Sequence, residues 1–288
     1  MSDIGEKRKF RRLLHSTMSR VHARLPWLRP WLEQYFCIHV YSNHMYIEPR
    51  FFENLRYKKT KEGFQSYREK YGNRRCFVIG NGPSLKRIDM TKLKDEVTIG
   101  SNGIYLYYHE MGFYPSFYTV VNYLIAEQMH KDIERIEDSI KIFPSFLRPY
   151  FKRSKGETIY LNAKGGYVCS EDVTEWVSWQ STVTFFNLQI AYSLGCPEVY
   201  LVGVDNEYIQ PADKREGNIV VSEGDDPNHF TSSYFPAGFR WQQADTQHMA
   251  RVYELTKEMF GKADRIIMNA TRGGKLEVFP RVNYDSLF

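Results

Sequence analysis

The chain has 288 residues, 42% hydrophobic and 25% charged, with a net charge of +5. It can bury a sizeable core and suits one large domain with an appendage, and its composition is that of a soluble globular protein rather than a disordered or fibrous one. It has no apolar run of 18 residues and no secretory apolar core, so no segment is expected to span a membrane. Cys37, Cys76, Cys169 and Cys196 lie too far apart for a CxxC zinc pair or a disulfide framework, which suits a reducing, cytoplasmic setting.

Residues 1–70 read as an extension and 71–288 as the main domain. Over 7–32, Lys7, Arg8, Lys9, Arg11 and Arg12 alternate with Phe10, Leu13, Leu14 and Met18, and Pro26 and Pro30 break the pattern beside Trp27 and Trp31. That is a basic amphipathic helix. It suits peripheral contact with an anionic membrane surface, or packing on the domain. Nucleic acid is not expected, because the basic charge does not continue into the main domain. Residues 41–70 read as a polar helical connector.

The run Cys76-Phe77-Val78-Ile79 is expected as a strand buried on both faces. It stops at Gly80-Asn81-Gly82-Pro83-Ser84, two glycines and a proline suited to opening a helix. Such a loop either presents N–H groups to a phosphate or is a plain strand-to-helix turn. It fits neither the GxGxxG nor the Walker pattern. Further strands are expected at 97–100, 117–121, 141–143, 158–161 and 198–204, and helices at 104–109, from 122 to about 138, at 183–194 and at 244–261. Gly195 and Pro197 close the helix over 183–194. The alternation predicts an α/β fold, a single Rossmann-like domain whose mostly parallel sheet is flanked by helices. Asn81, Asn102, Asn122 and Asp205 each follow an apolar run, so the sheet's carboxyl edge is expected to carry them to one crevice.

These residues, with Ser181-Thr182 and the closing Asn269-Ala270-Thr271, resemble the bacterial sialyltransferase superfamily that uses CMP-sialic acid. They resemble still more closely the motility-associated factor glycosyltransferases and the 6-hydroxymethylpterin diphosphokinase-like domain family. The resemblance covers about residues 75–288 and implies a metal-independent variant of the GT-A-like fold. It implies that Gly80, Asn81, Gly82, Ser84, Asn102, Asn122, Ser181, Thr182, Asp205, Asn269 and Thr271 hold a CMP-sugar donor. It implies that Tyr208 meets the departing phosphate, that His229 is the general base, and that Tyr234 acts beside it. An arginine that those sialyltransferases carry before Ser-Thr is absent here, where Trp179-Gln180 stand.

The chemistry follows from residue types. A nucleotide phosphate is already a good leaving group, so the site must offer donors to its developing charge, which tyrosine hydroxyls can do without a metal. Histidine suits removal of the acceptor's proton near neutral pH. Asp225 and Asp226, bounded by Gly224 and Pro227, read as loop charges. The expected reaction moves a sialic-acid-like or other sugar from CMP to a glycan or glycolipid hydroxyl, with no resident cofactor. Two alternatives stand beside it. One is a pterin diphosphokinase-like enzyme using ATP and Mg²⁺, with Asp205 as metal ligand. The other is a non-catalytic nucleotide-sugar-binding protein. The sequence leaves homo-oligomer formation open.

Overall fold

A computed structural model of the chain describes residues 36–41, 44–209, 214–216 and 218–288. The basic segment expected over 7–32 lies outside the described residues. The chain forms two compact units, Met1–Lys61 and Glu62–Phe288. In the first, β1 (Phe36–Tyr41) pairs antiparallel with β2 (His44–Pro49), Ile38 opposite Ile47. Part of the stretch expected to be helical is therefore strand. Pro49 accounts for the boundary, since it disfavours helical backbone at Glu48, and α1 (Arg50–Tyr71) starts immediately after it.

Within the second unit, the last turns of α1 bury Phe64, Tyr67 and Tyr71. Tyr67 and Tyr71 meet Phe117 edge-on, with ring centroids 5.7 and 5.2 Å apart. The strands β3 (Cys76–Ile79), β4 (Val97–Ser101) and β5 (Phe117–Thr119) are buried throughout, as expected of largely apolar strands in a sheet covered on both faces, and they bury Thr98, Ser101 and Thr119 with the rest. After α2 (Tyr123–Ile133) come β6 (Ile140–Pro144) and β7 (Thr158–Leu161), then a short parallel pair, β8 (Ala163–Lys164) and β9 (Val177–Ser178).

The next helix, α3 (Val183–Leu194), has ten of its 12 residues buried. Thr182 caps its start, accepting the Thr184 N–H at 3.3 Å, and Gly195 ends it at φ +89°. Inside it, Gln189 donates to Ser178 O (2.9 Å) and Phe185 O (3.1 Å) and accepts from the N–H groups of Ser170 and Ser178, both at 3.1 Å. A fully satisfied buried amide thus holds the segment that leads into Ser181.

The chain continues through β10 (Glu198–Val202), the antiparallel strands β11 (Lys214–Glu216), β12 (Ile219–Val221) and β13 (Arg240–Gln242), α4 (Thr246–Lys262) and β14 (Ile266–Asn269). The strand expected to reach 204 stops at Val202, because Gly203 turns at φ +69° with Leu85 packed where a β-carbon would stand. The main sheet has seven strands in the order β14-β10-β3-β4-β5-β6-β7, all parallel. The chain walks outward from β3 to β7 and then returns to place β10 on the other side of β3. In such a Rossmann-like sheet, that reversal leaves a crevice outside the carboxyl ends of β3 and β10.

Lys141, the second residue of β6, is wholly buried. Its ammonium donates to the carbonyls of Ile136 and Lys155, and burial pulls its pKa down to about 8.

Candidate functional site

The loops after β3, β4, β5 and β10 line a cleft of about 370 Å³, closed on the far side by the starts of α3 and α4 and by residues from the 218–245 stretch. Gly80, Asn81, Gly82, Asn102, Asn122, Ser181, Thr182, Asp205, Tyr208 and His229, all expected at a common site, line it together. They come from six separate stretches of chain.

The first loop differs from a phosphate cradle. The Gly80 N–H donates to Val202 O (2.8 Å) and the Gly82 N–H to Gly203 O (2.9 Å), so both are engaged by the end of β10. No long helix follows; Pro83–Arg87 is one 3₁₀ turn. Ser84, only 1% exposed, donates its hydroxyl to Asp205 Oδ2 at 2.6 Å. The loop therefore clasps the chain's own carboxylate. Burial raises the Asp205 pKa, opposed by the hydrogen bonds from Ser84 and by Arg87, 3.9 Å away.

The asparagines are held in different ways. Asn81 donates Nδ2 to Ser101 O at 3.2 Å, which fixes its amide and leaves Oδ1 as an unpartnered acceptor. Asn102 sits at φ +52° and receives the Tyr118 hydroxyl on its backbone carbonyl. Asn122 caps α2, accepting the Leu124 N–H at 2.8 Å, and gives Nδ2 to Gln242 Oε1 at 3.1 Å. Its side chain is thus occupied in a structural role, as is that of Thr182. Ser181 takes φ +78° and Asn206 φ +51°. Three residues other than glycine in the left-handed region on one rim mark a strained edge of the kind found at binding sites. Asn81 Oδ1, Ser101 Oγ, Asn102 Oδ1 and Asn206 Oδ1 are buried without a hydrogen-bond partner, and all four residues line the cleft. Buried acceptors without partners in a concave site are what a ligand's donors satisfy.

His229 lines the cleft with its Nδ1 2.6 Å from Asp226 Oδ2. Asp226, read from the sequence as a loop charge, is 9% exposed. The Asp-x-x-His spacing was the signal for it, and a loop proline between the two obscured that signal. Tyr208 leaves 38% of its surface exposed while its hydroxyl turns inward to Met249 Sδ at 3.8 Å, and that burial raises its pKa.

Four expected residues do not line the cleft. Ser84 lies beneath it on Asp205. Tyr234 stands behind His229, with ring centroids 3.8 Å apart and planes 2° from parallel, and its hydroxyl accepts the Gly103 N–H at 2.8 Å. Asn269 donates to Leu276 O (2.8 Å) and accepts the Thr271 N–H (3.0 Å), while Thr271 Oγ1 accepts the Val204 N–H at 3.1 Å. Those two side chains join the end of β14 to that of β10.

The lining of the site is acidic, although Arg87 stands 3.9 Å from Asp205 and Lys275 2.7 Å from Glu207 outside the lining. Asp205, Glu207, Asp226 and Asp245 line it, and no lysine or arginine does so among the described residues. Among those residues, no group of three or more His, Cys, Asp or Glu side chains is disposed to hold a metal ion. No described helix is long and apolar enough to cross a membrane.

A family model described as 6-hydroxymethylpterin diphosphokinase MptE-like matches residues 49–211, more than half of the chain. No curated protein matches. Among solved structures, the MAf glycosyltransferase from Magnetospirillum magneticum AMB-1 is similar at 18% identity with a TM-score of 0.45. The match covers 81% of this chain and 39% of that one, so this chain spans well under half of that protein's length.

Proposed function

This chain belongs to the 6-hydroxymethylpterin diphosphokinase MptE-like family, and we propose, from the residues that meet in its cleft, that it transfers a sugar from a CMP-activated donor to an acceptor hydroxyl. The observation that carries the reading is the meeting, in one cleft, of Asn81, Asn102, Ser181, Asp205, Tyr208 and His229. The charge supports it. A wall with four carboxylates and no lining lysine or arginine suits the fewer negative charges of a CMP-sugar better than those of ATP unaccompanied by a metal ion.

In the proposed reaction the acceptor oxygen attacks the anomeric carbon of the sugar. Its proton passes to His229 Nε2, the nitrogen that Asp226 leaves free. The bond from the anomeric carbon to the phosphate oxygen breaks, and its electron pair stays on CMP. The Tyr208 hydroxyl turns from Met249 to donate to that oxygen. The sugar is sialic-acid-like and the acceptor a glycan or glycolipid.

A second reading is favoured by the family's own description: transfer of pyrophosphate from ATP to a pterin alcohol, with Mg²⁺ on Asp205. Thermal denaturation with CMP, UDP, GDP and ATP, each with and without Mg²⁺, separates the two. The CMP-sugar reading expects stabilisation by CMP without metal. Stabilisation by ATP with Mg²⁺ and none by CMP selects the second reading.

A further inference from the structure

The contacts around His229 leave its ring little freedom. Asp226 Oδ2 engages Nδ1 at 2.6 Å, and Asp226 Oδ1 accepts the Asn228 N–H at 2.9 Å. The ring lies flat on Tyr234, while Phe235 meets it edge-on with centroids 4.8 Å apart. The loop itself is tied down at three points. Phe230 donates its N–H to Asn81 O at 2.9 Å. The Asn228 side chain exchanges two hydrogen bonds with the backbone of Ile209, at 2.7 and 2.9 Å. Tyr234 holds the Gly103 N–H. The histidine is thereby fastened to the loops that follow β3, β4 and β10.

We propose that Asp226 is a positioning residue that holds His229 in the tautomer with its proton on Nδ1, so that Nε2 meets the cleft as a bare proton acceptor. An ionised carboxylate can only accept, so the nitrogen facing it must carry the hydrogen. Neutral imidazole has one such hydrogen, and the other nitrogen keeps its lone pair. When Nε2 takes the acceptor's proton, the ring holds a proton on each nitrogen and Asp226 stays ionised beside the new positive charge, as in other histidine bases backed by a carboxylate. Tyr234 lies behind the ring, and besides Asp226 the ionisable side chains lining the cleft with His229 are Asp205, Glu207, Tyr208, Asp245 and Tyr253. The proposal rests on reading His229 as the base.

The test is ¹⁵N NMR of the full chain labelled on its eight histidines, with the His229 signals identified by their loss in His229→Gln. At pH 8 the wild type is expected to show a protonated Nδ1 and an unprotonated Nε2. A proton on Nε2 in the wild type overturns the proposal without any variant. In Asp226→Asn, whose amide can donate as well as accept, the signals are expected to shift toward the other tautomer; an unchanged pattern also overturns it. With CMP-sugar as substrate, Asp226→Asn should lower kcat by about 100-fold or more while the donor KM changes less than about threefold. A purely structural Asp226 would lower thermal stability and leave both the tautomer and kcat of the folded protein alone. The NMR result needs no substrate. Failure of the CMP-sugar reading appears instead as a wild type that does not turn over, whatever the tautomer.

Discussion

Asp205 Oδ2 lies 1.8 Å from the point where a β-carbon would stand on Gly82. Gly82 has an ordinary φ of −72°, so its backbone does not require glycine. The neighbouring carboxylate does. A loop that reads in sequence as an open anion cradle is filled by a side chain from the end of the adjacent strand.

Gly82→Ala should therefore push Asp205 off Ser84 and destabilise the fold by about 1–3 kcal/mol. Urea denaturation measures the loss. A variant as stable as the wild type, with the Ser84–Asp205 hydrogen bond intact in its crystal structure, would contradict this account.

Lys141 predicts a stability that rises with pH. Its ordinary pKa of 10.5 in the unfolded chain falls to about 8 in the fold, because burial disfavours the charged form. Folding thus releases a proton between those limits. Below pH 8 both states are protonated and the penalty is constant; across the window it is relieved, by up to about 3 kcal/mol. Denaturation of the wild type at pH 8, 9 and 9.5 should show the rise, and Lys141→Met should lack that slope. At pH 8 the variant also leaves the carbonyls of Ile136 and Lys155 without their donor. Equal slopes for the two proteins would place the titration elsewhere.

Tyr234→Phe should act on stability first. The ring keeps its stack on His229, but the buried Gly103 N–H loses its acceptor, at about 1–3 kcal/mol. A melting temperature equal to that of the wild type would mean that another acceptor replaces the hydroxyl.

His229→Ala and Tyr208→Phe probe the chemistry. His229→Ala should bind CMP with nearly the affinity of the wild type in calorimetry, since its side chain meets the acceptor, whereas Tyr208→Phe should bind CMP more weakly because it loses a donor to the phosphate. The first should lose turnover by about 100-fold or more and the second by a smaller factor. Undiminished turnover in His229→Ala would remove it as the base.

Much of the scaffold was readable in advance. The strands Cys76–Ile79 and Thr158–Leu161 and the helix Val183–Leu194 stand where apolar runs, a Thr cap and a terminal glycine put them. The convergence of Asn81, Asn102, Asn122 and Asp205 on one edge followed from strand ends in a parallel sheet. The occupation of their hydrogen bonds did not. Asn122 and Thr182 turned out to be helix caps, and Asn269 and Thr271 braces between strands. Nothing in a residue's type distinguishes an amide that caps a helix from one that waits for a ligand.

The sequence by itself determined the α/β alternation and the edge on which polar residues gather, because apolar periodicity, caps and glycine stops act over a few neighbouring residues. Only the tertiary structure decided which polar groups remain free in the cleft. Ser84 and Asp205 are 121 residues apart, and Gly103 and Tyr234 are 131 apart. Whether a hydrogen-bonding group is satisfied or open depends on partners that only the folded sheet brings within 3 Å.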